Sequence, residues 1–210
     1  MLSLLSGHAY LGALRLYQCF PLLMPVLLFK NAPHGRFSPS NKQKPARWYE
    51  RLTVDGTSSW IIMELVSPIA LLSMYLASPT SKSHQLPTII HPSTLLVGLW
   101  VMHYFNRAIV SPLRTPSRSP SHILIPLAAA AFNLLNGSLN GSWLSSGVVK
   151  PDGWNSLGFW ASIGLFISGW IGNVVHDEVL LNIRKESKGG GQDGKPKYGI
   201  PHGYFYRFVS

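Results

Sequence analysis

The sequence predicts an all-α membrane protein, a helical bundle with about five transmembrane helices, and three observations predict it. Charged residues make up only 12% of the 210 and hydrophobic ones 46%, which leaves a soluble globule too little polar surface. Five stretches approach the roughly 20 largely apolar residues that a spanning helix needs. Basic side chains also alternate between successive connecting segments, as expected when short loops rich in Lys and Arg stay on the cytoplasmic side.

The first apolar stretch covers about residues 8–29. No basic cluster precedes it and no small-residue cleavage site follows, so it reads as a retained membrane segment rather than a signal peptide. Loop 1 then carries Arg36, Lys42, Lys44, Arg47 and Arg51. Residues 1–59 are therefore expected to form an N-terminal membrane helix with a basic cytoplasmic loop, and residues 60–210 the main membrane domain. The second stretch, WIIMELVSPIALLSMYLA, covers 60–77, and the third covers about 94–110. The third ends oddly, in HYFNRAIVSPLRTPSRSP: His103, Tyr104, Asn106 and Arg107 crowd its exit, and Arg114 and Arg118 follow in a Pro-rich loop. The fourth, 122–135, is short and leads into NGSLNGS, whose Asn136 and Asn140 match the glycosylation acceptor pattern and whose glycines suit a helix exit. The fifth covers about 157–175.

Loop 2 holds Lys82 and loop 4 holds Lys150, whereas loop 3 holds Arg107, Arg114 and Arg118. The tail holds Arg184, Lys185, Lys188, Lys195, Lys197 and Arg207. Basic odd-numbered loops place the N-terminus on the lumenal side and the C-terminus in the cytoplasm. The net charge of +10 alone would suit nucleic acid, anionic lipid or a phosphate-bearing ligand; its distribution by membrane side, without a single stripe, argues against nucleic acid. Cys19 is the only cysteine, which excludes an intramolecular disulfide and a cysteine metal cage. Neither His103 nor His176 has HEXXH-type spacing, so no metal is expected. The Gly-rich run ESKGGGQDGKPK, 186–197, is a polar linker without a phosphate-binding fingerprint.

Ionisable groups inside a spanning helix cost about 2.5 to 3.5 kcal/mol each on insertion scales and usually face the protein interior. Glu64 is the clearest, although an interfacial carboxylate is the plainer reading of it, as a membrane-belt aromatic is of Tyr104. The fifth stretch continues into GNVVHDEVLLNIR, where Asn173, Asp177 and Arg184 fall at i, i+4 and i+11, on one helical face. An amide, a carboxylate and a guanidinium there suit a nucleotide; a structural Asp–Arg network at a helix end is the alternative.

HYFNRAIVSPL, FNLLNGSLNGSWL, the run from DGW to GNVVHDEVLLNIR, and YGIPHGYFYRFVS occur in consistent order over residues 60–210. Together they resemble the membrane-embedded steroid 5-alpha-reductases, or 3-oxo-5-alpha-steroid 4-dehydrogenases. The resemblance implies a bundle of seven membrane helices, probably the wrong count for this chain alone, and location in the endoplasmic reticulum. It implies NADPH-dependent reduction of the carbon–carbon double bond of an enone in a steroid or related lipid. It also implies that Tyr104 and Glu64 meet at the substrate carbonyl, and that Arg107, Arg114, Arg118, Asn173, Asp177, Arg184 and Tyr198 serve the cofactor. Polyprenol and trans-2-enoyl-CoA reductases of the wider superfamily, and a non-catalytic membrane paralogue, are the alternatives.

This chain departs from the pattern at three places. It reads Asn173-Val174-Val175-His176-Asp177 where the family usually has N-I-H-S-D, and Gly199 stands where a basic residue is common. It stops at FVS, where the family continues into an Asn-aromatic, Gly-Glu motif and two final helices. A C-terminally incomplete member with five spans is the expectation.

Overall fold

The computed structural model describes residues 7–23, 25, 52–78, 80–81, 85–116, 118–188 and 199–208. Helix α1, Gly7–Gln18, is followed by a 3-10 turn, Phe20–Leu23. The long helix α2, Gly56–Ala77, starts ahead of the apolar run because Asp55 caps it, its carboxylate accepting the Ser58 N–H at 2.7 Å. At its other end Ser78 adopts the left-handed conformation, φ 43°, and its N–H closes on the carbonyls of Met74 and Tyr75.

Helix α3, Pro92–Phe105, has His91 as its cap and proline in its first turn. It continues without a break through a π segment, Asn106–Val110, into a last α turn, Ser111–Arg114. Helix α4 is Leu124–Ser145, and α5 is Leu157–Lys188, a 32-residue helix preceded by a 3-10 turn, Pro151–Asn155. A final 3-10 turn spans Tyr204–Phe208. Two of these helices, α2 and the 157–186 part of α5, are long and apolar enough to cross a membrane.

The fourth apolar stretch is corrected by the structure. Its helix does not end near residue 135 but runs through NGSLNGS to Ser145. The glycines there make close packing: a Cβ on Gly137 would strike the Ser67 carbonyl, and one on Gly141 the Leu71 carbonyl. Small residues four apart let α2 and α4 approach backbone to backbone, the arrangement favoured between helices in membranes. Asn136 and Asn140 sit within this helix, and the Asn136 side-chain oxygen accepts both Tyr17 Oη of α1 at 3.2 Å and Asn140 Nδ2 at 3.0 Å. They are interhelical hydrogen-bonding groups rather than loop acceptors for glycan.

The core is built around Leu71, Tyr75, Val97 and Leu144, from α2, α3 and α4. Polar ties cross it: Tyr75 Oη and Thr94 Oγ1 lie 3.0 Å apart, and Asn133 Nδ2 donates to the Met63 carbonyl at 2.7 Å. A small antiparallel clip, β1 (Thr53–Val54) on β2 (Ser121–His122), pairs Thr53 with His122 and Val54 with Ser121. It ties the loop after α3 to the start of α2, where Gly56 meets the carbonyls of Arg118 and Ser119 with no room for a side chain. That clip places Arg118 against α2.

Candidate active site

Glu64 lies one helical turn beyond Trp60 on α2 and is buried, at 4% exposure. Its Oε1 accepts from Arg107 Nη2 at 2.9 Å. The carboxylate is therefore held by a guanidinium inside the bundle, in place of the interfacial position that was the plainer reading of the sequence. Tyr104, one turn before Arg107 on α3, is buried as well. Its ring stacks on Trp100, centroids 5.5 Å apart, and meets His103 edge-on at 5.2 Å. Its phenol group is set among Ser67, Glu64, Arg107 and Asn136. The structure thus brings Glu64 and Tyr104 into one buried neighbourhood, with Arg107 bound to the carboxylate.

The π segment explains how Arg107 is fixed. Within it the Ser111 N–H reaches back to the Asn106 carbonyl. The next donor in a π pattern would come from residue 112, but Pro112 has no N–H. The Arg107 carbonyl is left to an outside partner, and Trp60 Nε1 supplies it at 3.2 Å. Trp60 in turn lies beneath two cations: Arg118 Cζ is 4.2 Å and Arg107 Cζ 5.2 Å from the ring centroid, both within cation–π range.

Beyond Trp60 a cleft of about 190 Å³ opens between the end of α3 and α5. Arg107, Ser111, Arg114, Thr115 and Arg118 line one wall, and Val174, Asp177, Glu178, Leu181 and Arg184 the other. Arg114 forms an ion pair with Glu178. Arg118 Nε is buried without a hydrogen-bond partner. Burial, and then the neighbouring Arg184, press the Arg118 guanidinium below its ordinary pKa, so an anion at this spot would restore the charged form.

Of the residues expected at a cofactor, Arg107, Arg114, Arg118, Asp177 and Arg184 line this cleft together. Asn173, on the same helix, is exposed and outside the cleft lining. Tyr198 lies outside the described residues. Sequence reasoning did not single out Trp60 or Glu178. Trp60 carried one signal, its i, i+4 relation to Glu64; Glu178 carried none, since its partner is on another helix. On the opposite face of α5, His176 stacks on Phe205 at 5.1 Å and accepts the Phe205 N–H at Nε2, 3.2 Å, holding the last 3-10 turn.

The family model described as 3-oxo-5-alpha-steroid 4-dehydrogenase matches residues 119–210. Human 3-oxo-5-alpha-steroid 4-dehydrogenase 2 is 31% identical over 210 residues, covering 98% of this chain and 71% of that protein. The steroid 5-alpha-reductase DET2 of Gossypium hirsutum is 32% identical over 192 residues, covering 88% of this chain and 65% of that protein. An uncharacterized protein of Schizosaccharomyces pombe, C9.08c, is 30% identical over 220 residues, covering 96% of this chain and 76% of its own length. The chain therefore spans about two thirds to three quarters of these relatives, and it belongs to the steroid 5-alpha-reductase, or 3-oxo-5-alpha-steroid 4-dehydrogenase, family.

Proposed function

We propose that this protein reduces the carbon–carbon double bond of an enone in a steroid or related lipid, with NADPH as donor and with Glu64 and Tyr104 at the substrate carbonyl. The observation that carries the reading is the buried Glu64–Arg107 pair beside the buried Tyr104, directly adjoining an arginine-lined cleft. When an enone receives hydride at its β-carbon, negative charge grows on the carbonyl oxygen. A phenol held in place can donate a hydrogen bond or proton to that oxygen. Glu64, fixed by Arg107, orients the phenol and keeps its neighbourhood polar.

NADPH supplies the hydride when bound. The cleft suits its phosphates: Arg118 has a buried unpartnered Nε, Arg184 faces the same space, and the Trp60 ring offers an aromatic wall. A volume of about 190 Å³ is below the ~300 to 1,000 Å³ common for whole ligands, so these residues account for the phosphate end alone. The reading places the chain in the endoplasmic reticulum membrane with about five spans, the N-terminus lumenal and the C-terminus cytoplasmic, supported by the alternation of basic loops.

The test is Tyr104→Phe with Glu64→Gln. Losing a positioned proton donor lowers rate by about 10² to 10⁴, so enone reduction should fall by that amount in Tyr104→Phe while folding survives. The double variant should be little worse than either single one, because residues acting as a unit are not additive. Near-normal turnover by Tyr104→Phe would refute the assignment of Tyr104.

A further inference from the structure

The Arg114–Glu178 pair has no part in the reduction as proposed, yet it crosses the cleft. Arg114 stands on the last turn of α3 and Glu178 on α5, and both line the space where the phosphate-binding residues converge. Their side chains keep 47% and 38% exposure, so solutes can reach both partners. Arg107 is already engaged by Glu64, whereas Arg118 Nε has no partner.

The arginine inventory of the cleft is therefore uneven. One guanidinium is bound to a buried carboxylate, one is held by a carboxylate of the cleft wall, and one is short of an acceptor. A phosphate entering the cleft competes with Glu178 for Arg114, because a guanidinium offers the same planar fork of donors to carboxylate and to phosphate. Asp177, the other carboxylate of the wall, adds negative charge without forming this ion pair.

We propose that Glu178 is a built-in competitor for the anion site: its carboxylate clasps Arg114 across the cleft, and a phosphate group of the nucleotide must displace it to gain that arginine. The clasp sets the affinity of the cleft for phosphate-bearing ligands and holds α5 against the end of α3 until one arrives. It rests on the reading of the cleft as a phosphate site.

The test uses inorganic pyrophosphate as the probe, with the full chain in detergent micelles and binding followed by titration calorimetry. An exposed ion pair is worth about 0.2 to 1 kcal/mol, and each 1.4 kcal/mol is tenfold in affinity. With the accompanying relief of charge repulsion, Glu178→Gln should bind pyrophosphate about three- to tenfold more tightly than the unaltered chain. Arg114→Gln should bind it more weakly, and adding Glu178→Gln to Arg114→Gln should recover much less than it gains alone. An equal gain in both backgrounds, or the same gain from Asp177→Asn, would show a general charge effect and overturn the clasp. Binding by the unaltered chain with no gain in Glu178→Gln would overturn the clasp and leave the phosphate site standing. No binding by either chain would overturn the phosphate site, and the clasp with it. The change removes only a charge from a part-exposed side chain; unchanged circular dichroism and thermal midpoint would confirm folding.

Discussion

The Glu64–Arg107 pair is unequally buried, and this predicts an asymmetry between its two halves. The Arg107 side chain keeps 46% exposure and the Glu64 side chain 6%. Arg107→Gln leaves the carboxylate inside the bundle without its counter-charge. Breaking a fully buried pair costs about 3 to 5 kcal/mol, and the half-exposed partner puts this case near the lower limit, about 3 kcal/mol. Glu64→Gln keeps the shape of the side chain and leaves a guanidinium that water reaches and the Trp60 ring still faces. That loss should be about 1 kcal/mol, as for a part-exposed pair. In a chain of 210 residues 1 kcal/mol corresponds to about 2 to 4 °C in thermal midpoint. The expected drops are therefore about 6 to 12 °C for Arg107→Gln and about 2 to 4 °C for Glu64→Gln. Thermal unfolding of the two variants in the same micelles, followed by tryptophan fluorescence, measures both. Equal drops, or a larger one for Glu64→Gln, would refute the argument from burial.

Three further outcomes follow from the fold and the cleft. Gly141→Ala drives a methyl group into the Leu71 carbonyl and should destabilise the chain by about 1 to 3 kcal/mol or more, whereas Gly164→Ala on α5 meets nothing within 4 Å and should stabilise by up to about 1 kcal/mol; thermal midpoints of opposite sign check this. The Asp55 carboxyl is held below its usual pKa by the Ser58 N–H, so its charge adds stability above the usual value near 4, and that stability is lost as pH falls through the lower folded value. The difference in thermal midpoint between the unaltered chain and Asp55→Asn should accordingly be present at neutral pH and close in acid; a constant difference would count against it. NADPH should compete with pyrophosphate more strongly than NADH does, because the extra phosphate gains charge-assisted hydrogen bonds, and Arg118→Gln should narrow that difference. Equal competition by both nucleotides in the unaltered chain would remove the case for NADPH.

The sequence shows α2 and α5 plainly, because each is a long apolar run with strong end signals. It misleads at α4, where Asn, Gly and Ser in NGSLNGS look like a helix exit. Intrinsic preference loses there to tertiary packing, since Gly137 and Gly141 allow the approach of α2. Spacing along α5 was enough to bring Asp177 and Arg184 to one cleft wall, but Asn173, within the same helical pattern, stays outside it. The roles of Trp60 and Glu178 depend on partners far along the chain, and no local pattern encodes such pairings. The clip that positions Arg118 consists of strands of two residues each, too short for any alternation to register.

The π segment sets a length requirement on the chain. A π turn holds one residue more than the α turn it replaces, and each α-helical residue advances the backbone by about 100°. Deleting a single residue between Asn106 and Val110 would tighten the helix to α geometry and swing everything downstream through about that angle. Tyr104 would keep its place, while Arg114 would turn away from Glu178 and the strand leading from Arg118 into β2 would be pulled out of register. Spacing from the phenol to the arginines should thus tolerate many substitutions and no deletion.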